Sequence, residues 1–263
     1  MNDPARAAST VCLVRDGDDG LEVLMVRRTP HARFMGGAWV FPGGAVDAGD
    51  ASVLASSAVR SGDRELFPWR AAALRELVEE TSIWVRERGI ETGQTATRGD
   101  DVFAASSTSG GRLDGDALRY FANWVTPSPL PIRFDTRFFA VDTPGDVDPL
   151  IDGDELVGWE WVPPARALDR SVEGSWTVAF PTRKTLEWLD AFATKGGLFS
   201  HIERMSEVAA VRPRLSVRSG IVEVLVPGDP GFEDAEEGER DPILLSRIVE
   251  AIDAGGAVPP EFR

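Results

Sequence analysis

Cysteine is almost missing from this 263-residue sequence, with Cys12 the only example. An internal disulfide and any cysteine-cluster metal site are therefore excluded, and the composition fits a reducing compartment. Cys12 itself reads as core packing. Histidine is nearly as scarce: His31 and His201 have no acid or cysteine at ligand spacing, so neither supports a zinc site or a catalytic triad. Positive charge is also short. The formal net charge is −15 and the pI is near 4.6, which leaves no basic field to gather a nucleic acid or an anionic membrane surface. No apolar run reaches the roughly 18 residues that a membrane helix needs, and residues 1–10 lack the apolar stretch of a secretion signal. Together these lacks predict a soluble, cytoplasmic protein with neither nucleic-acid nor membrane partners. A small anion carried with a cation stays compatible with them.

What is present is a substantial core. Residues that are apolar or aromatic make up 43% of the chain, enough for one large domain or a domain with an appendage. Residues 9–15 and 21–27 are β-rich runs separated by Asp16-Gly17-Asp18-Asp19-Gly20, a turn-forming cluster that predicts a hairpin. A third short strand, residues 38–41, runs into Pro42-Gly43-Gly44, where a sharp turn and a loop of permissive backbone are expected. Residues 69–81 carry Ala73, Leu74, Leu77 and Val78 at helical spacing and predict a helix. Residues 90–115, rich in Gly, Ser, Thr and Asp, read as a long loop or mobile excursion. Strands are expected at 120–126, 134–142 and 155–162, helices at 181–193 and 198–210, and a hairpin at 217–226 broken at Ser219-Gly220. The helices after Pro181 form a subdomain or a dimer surface. Residues 228–241 hold seven acidic residues and one arginine, the composition of a solvated loop.

On the helix at 69–81, a rotation of about 100° per residue puts Glu76, Glu79 and Glu80 within an arc of roughly 100°, with Leu74, Leu77 and Val78 around the opposite side. Three carboxylates so crowded repel one another at neutral pH unless a cation or basic side chains intervene, and their hard oxygens suit magnesium or manganese. Arg75, four residues before Glu79, is placed to hold one of them. Taken alone, the arrangement also fits an ordinary acidic helix face. The segment upstream, Phe41-Pro42-Gly43-Gly44-Ala45-Val46-Asp47-Ala48-Gly49-Asp50, changes that balance. Turn and helix together resemble the Nudix box, whose pattern is glycine, five residues, glutamate, seven residues, then Arg-Glu-hydrophobic-x-Glu-Glu-x-Gly-hydrophobic. Gly44 and Asp50 match its first half, and Arg75-Glu76-Leu77-Val78-Glu79-Glu80-Thr81-Ser82-Ile83 its second.

There are three departures from the pattern. Asp50 stands in place of glutamate, which keeps the charge on a shorter arm. Ser82 stands in place of the glycine that ends the helix, and in a left-handed backbone serine costs about 1 kcal/mol. Residues 51–74 place 24 residues where the pattern has 7, so residues 51–68 are an insertion inside the box, beside the site. Such an insertion is similar to the branch of Nudix hydrolases containing the acyl-coenzyme A diphosphatases, as are Trp124-Val125-Thr126-Pro127 and Phe134-Asp135-Thr136-Arg137-Phe138-Phe139. Arg27, Arg33 and Gly37 sit at that branch's spacing ahead of Phe41-Pro42-Gly43-Gly44, although Arg28-Thr29 replaces the small pair expected after Arg27.

The resemblance covers residues 8–230, with 181–210 as a helical part and 231–263 as an acidic C-terminal tail. It implies an α/β/α sandwich with a mixed β-sheet and extra C-terminal helices; the residues alone support only mixed α/β. It further implies that Glu76, Glu79 and Glu80 hold one to three Mg2+ (or Mn2+) ions, with Glu79 or Glu80 as the base and Arg75 in the catalytic constellation. The implied partner is a small-molecule nucleotide-diphosphate substrate, either coenzyme A or a compound such as ADP-ribose or NADH. A non-catalytic nucleotide-binding module is the remaining alternative. Arg27, Arg33 and Arg137 are candidate phosphate ligands, and Gly43 and Gly44 candidates for close backbone approach, against the plainer readings of surface arginines and a structural turn. Trp39, Trp124, Trp159 and Phe139 could stack on a substrate or simply fill the core. The terminal Glu261-Phe262-Arg263 is no Ser-Lys-Leu type address, so a peroxisomal location is not expected.

Overall fold

A computed structural model describes residues 5–235, apart from 33, 34, 94–96, 110, 128, 129, 131, 152, 219 and 220. Strand β1 (Arg6–Gly17) and strand β2 (Gly20–Arg28) form the expected hairpin, closing at Gly17 opposite Gly20. Two short strands follow, β3 (Trp39–Val40) and β4 (Gly43–Ala45). Helix α1 (Val53–Ala58), strand β5 (Val59–Arg60), helix α2 (Phe67–Thr81), strands β6 (Ile83–Arg86) and β7 (Gly89–Thr92), helix α3 (Asp100–Ser109) and strand β8 (Leu113–Asp114) come next. The chain continues through β9 (Arg119–Val125), β10 (Phe134–Asp142), β11 (Leu156–Val162), helices α4 (Pro164–Val172), α5 (Phe180–Leu189) and α6 (Lys195–Glu203), and strands β12 (Ala210–Val211), β13 (Arg214–Arg218) and β14 (Ile221–Leu225).

The central sheet runs β11-β2-β1-β10-β9-β12, with β3 added to β2 and β4 to β1. It is mixed, because β1 and β10 pair in parallel while β2 and β9 are antiparallel to them. Successive side chains of a strand point to opposite faces, and both inner strands are apolar on each. Val11, Leu13, Leu24, Val26 and Phe139 bury against Ala73, Leu74, Leu77 and Val78 of α2. Cys12, Val14, Val23, Met25 and Phe138 bury against Leu186 and Leu189 of α5 and Leu198 and Ile202 of α6. The sheet is therefore the middle layer of an α/β/α sandwich, and Cys12 is a buried core residue.

Several expectations need correction. Residues 90–115 are not a long loop: they hold most of β7, all of α3 and β8. The insertion supplies their missing partners. Strand β5 pairs in parallel with β8, which pairs with β6, and β6 with β7, making a second sheet ordered β5-β8-β6-β7. Ala55, Ala58 and Val59 from the insertion share a buried cluster with Val102, Phe103 and Leu113. Gly43 and Gly44, expected in a loop, lie in strand β4, opposite Thr10 and Ser9 of β1. The helix expected to reach residue 210 stops at Glu203, and residues 210 and 211 pair with β9 instead. The β13–β14 hairpin brackets Ser219-Gly220, which lie outside the described residues. Of the acidic tail, residues 231–235 are described: Phe232 and Ala235 pack with Leu225 of β14, and the Arg214 guanidinium donates to both of their carbonyl oxygens.

Candidate active site

Helix α2 packs its Leu74, Leu77 and Val78 side inward, and this rotation brings Arg75, Glu76, Glu79 and Glu80 together beside strand β4. Arg75 organises the group. Its Nε and Nη2 donate to Asp50 Oδ1 and Oδ2 at 2.8 and 3.0 Å, and Nη2 also donates to the Ala45 carbonyl at 3.0 Å. Its Nη1 donates to Glu76 Oε1 at 2.9 Å and to Glu79 Oε1 at 3.2 Å. Asp50 is fully buried and also accepts the Asp47 N–H at 2.8 Å. A short 3-10 turn, Ala48–Ala51, delivers this carboxylate to Arg75, so the aspartate spans the gap despite its shorter arm. Burial acts to lower the Arg75 pKa, but the Asp50 hydrogen bond and the surrounding carboxylates outweigh it and the guanidinium stays charged.

The glycines set the approach of β4 to the helix. Gly43 donates its N–H to Glu80 Oε2 at 2.9 Å. Its φ is +153° and a Cβ there would overlap the Ser9 carbonyl oxygen, so no other residue fits without displacing β1. A Cβ on Gly44 would overlap the Glu76 carboxyl. Glu79 is held from the other side by the Gly99 N–H at 2.8 Å.

Burial pushes the Glu76 carboxyl up to about 7 against the pull of Arg75. Burial, joined by the neighbouring charge of Glu76, pushes Glu80 up to about 8, opposed by the Gly43 N–H and by Arg28. Charge crowded in this way is relieved by a divalent cation, and the donor set of hard carboxylate oxygens fits magnesium or manganese. Among the described residues no three His, Cys, Asp or Glu side chains are already gathered as a metal site. Each glutamate instead has its own protein partner.

The remaining candidates are scattered. Arg27 is exposed near the end of β2, opposite Trp39 and Gly158, and Arg33 lies outside the described residues. Arg137 sits across the sheet under the first turn of α2, its guanidinium 3.5 Å from the Trp69 ring centroid. That is about two helical turns before Glu76. Phe139 is core, Trp39 stacks on Trp176 at 3.9 Å and Trp124 packs edge-on to Phe180, while Trp159 is 36% exposed. Ser82 ends α2 in the left-handed conformation expected for the position, with φ 57° and ψ 18°. Its hydroxyl donates to the Leu150 carbonyl at 3.0 Å.

Three groups escaped sequence reading. Arg28 and Glu155 both act on the charge of Glu80, and the Gly99 N–H comes from the stretch read as a loop. Strand alternation along Leu24-Met25-Val26-Arg27-Arg28 was the available signal for Arg28; nothing local marks the other two.

No protein-family model matches the sequence. A Caenorhabditis elegans protein provisionally named nudix hydrolase 7 is 31% identical over 168 residues, which is 60% of this chain and 52% of that one. The chain thus spans about half the length of that relative. The crystal structure of a NUDIX hydrolase from Alicyclobacillus acidocaldarius is 30% identical, covers 78% of this chain and 99% of the other, and superposes with a TM-score of 0.62. Since that relative is matched almost end to end on a shared fold, the chain belongs to the Nudix hydrolase family.

Proposed function

We propose that the protein hydrolyses a diphosphate linkage in a small nucleoside-diphosphate-linked substrate, using Mg2+ (or Mn2+) held by Glu76, Glu79 and Glu80. The observation that carries this reading is the buried Arg75–Asp50 pair, whose arginine also holds Glu76 and Glu79 beside strand β4, where the Gly43 N–H holds Glu80. When bound, a divalent cation neutralises phosphate oxygens and acidifies a water. Glu79 is the preferred base and Glu80 the alternative, each taking the proton of the attacking water. Arg75 is a positioning residue, because its guanidinium is spent on carboxylates. Gly43 and Gly44 let the backbone come close to the phosphates, and Arg27, Arg33 and Arg137 are proposed to bind the rest of the substrate.

Coenzyme A or acyl-coenzyme A is the preferred substrate, giving 3′,5′-ADP and a phosphopantetheine product. Support comes from Arg27, Arg33 and Gly37 ahead of Phe41-Pro42-Gly43-Gly44 and from the insertion in the box. The test is cleavage of coenzyme A, acetyl-coenzyme A, ADP-ribose and NADH in Mg2+ or Mn2+ against EDTA, with the products identified. Cleavage confined to the coenzyme A compounds supports the full reading, whereas preference for ADP-ribose or NADH keeps the chemistry and discards the substrate. Nucleotide binding with no cleavage of any compound would make this a binding module.

A further inference from the structure

We propose that Trp159 is the platform on which this site stacks the nucleobase of its substrate, a purine carried on the diphosphate. The inference deepens the hydrolytic reading above and rests on it. The sequence has eight tryptophans, and seven of them already have a ring or a cation against them. Trp39 stacks on Trp176, Trp124 meets Phe180 edge-on, and Trp188 stacks on Phe121. Arginine guanidinium groups lie over Trp69, Trp84 and Trp161. Among the described residues, Trp159 alone has neither, and its side chain is exposed.

Its place in the sheet gives that free ring a direction. Residues directly opposite on neighbouring strands face the same way, and Trp159 is opposite Val26, which is opposite Val40 of β3. Val26 and Val40 belong to the cluster of Leu77 and Val78. Trp159 therefore lies on the α2 face of the sheet, at the edge formed by β11. Trp39 and Trp124 pack on the opposite face and Phe139 is core, so none of these can serve. Two ties bring Trp159 to the carboxylates. Strand β3 runs through Phe41 and Pro42 into Gly43, whose N–H holds Glu80, and at a spacing of about 4.8 Å between strands Trp159 is about 10 Å from Val40. Arg98 pairs with Glu155, just before β11, at 3.0 Å, while the next residue, Gly99, donates to Glu79 Oε1 at 2.8 Å. A diphosphate held at Glu76, Glu79 and Glu80 leaves its base, one ribose further on, within reach of that ring. Stacking needs only a π-face on each partner, and the Trp159 face is unspent.

The test compares Trp159→Ala and Trp159→Phe in the full chain. The readings are the Kd for ADP and for inorganic diphosphate, each with Mn2+, and KM and kcat on whichever diphosphate compound the unmodified protein cleaves best. Trp159→Ala is expected to weaken ADP binding and raise KM about 5- to 100-fold, with kcat, inorganic diphosphate affinity and melting temperature unchanged. Trp159→Phe, which keeps a ring face, should restore most of the loss. A Trp159→Ala protein within twofold of the unmodified one on ADP overturns the proposal, even if KM rises for acyl-coenzyme A, since the ring would then touch the acyl chain instead. An equal loss on inorganic diphosphate also overturns it, because the effect would not depend on a base. If the unmodified protein binds ADP and cleaves nothing, the hydrolytic reading alone falls, because ADP affinity still reports on Trp159; if it binds no ADP, both fall.

Discussion

The side chain on which the site depends most is one that touches no substrate in the proposed mechanism. Asp50 is fully buried and satisfies two nitrogens of Arg75; without it Arg75 keeps Glu76 and Glu79 but leaves Nε buried and unpaired. Removing one partner of a buried pair costs about 3 kcal/mol. Asp50→Ala is therefore expected to lose about that much in urea unfolding and to lose activity as well, since Glu76 and Glu79 are aimed by the same guanidinium. Full stability in the variant would mean that Arg75 finds water. Ser82 poses a smaller question with a definite sign. Its backbone is left-handed, which favours glycine over a residue with a Cβ by about 1 kcal/mol, while its hydroxyl gains a hydrogen bond to Leu150. Neither Ser82→Ala nor Ser82→Gly can make that bond, so the difference between the two variants isolates the backbone. Ser82→Gly should be the more stable by about 1 kcal/mol in the same assay.

At the level of elements, the insertion and the segment 83–117 are one unit, tied by Asp116. Its carboxylate accepts from Arg70 at 2.9 Å and from the Gly62 N–H at 2.9 Å, and pairs with Arg60 at 3.1 Å. Asp116→Ala is expected to cost about 1 kcal/mol, since these contacts are only partly shielded, and to leave Mn2+ affinity unchanged because the carboxylates of α2 lie elsewhere. A large loss of metal affinity would show that the unit also positions Glu79 through Gly99. This unit was illegible in the sequence for a physical reason. Strands of two to four residues are too short to display a period of two, and β8 finds its partner β5 across more than fifty residues of chain. Residues 90–115 accordingly read as a loop on composition alone. Helix α2 was legible because fifteen residues show the helical period clearly, and the Arg75-to-Glu79 contact followed from a four-residue spacing. Gly43 was legible as a special backbone position but not as a strand, since glycine carries no β-propensity. Arg28 was passed over because the sequence reading favoured its neighbour Arg27, although the alternation Leu24, Val26, Arg28 was there to be read.

For the molecule as a whole, the sandwich buries two carboxyls that would rather stay neutral, and this makes the stability of the metal-free protein depend on pH in a definite direction. The ordinary carboxyl value is 4.5, whereas folding raises Glu76 to about 7 and Glu80 to about 8, burial being the main cause in each. Between those values the folded state holds protons that the unfolded state has released, so the unfolding free energy falls as pH rises through the window and levels off above it. Below 4.5 both states are protonated and these groups contribute no slope. Replacing both residues by Gln removes the titration while keeping the neutral shape. In EDTA, the Glu76→Gln/Glu80→Gln protein should melt near the unmodified one at pH 5 and above it at pH 8. Adding Mn2+ at pH 8 should reverse that order, because the cation stabilises only the chain that can bind it. A double variant that melts below the unmodified protein at pH 8 in EDTA would mean that the carboxylates are stabilising as anions. The protein's own cations, Arg75 and Arg28, would then suffice to neutralise them, and the electrostatic argument for a divalent ion between α2 and β4 would lose its support.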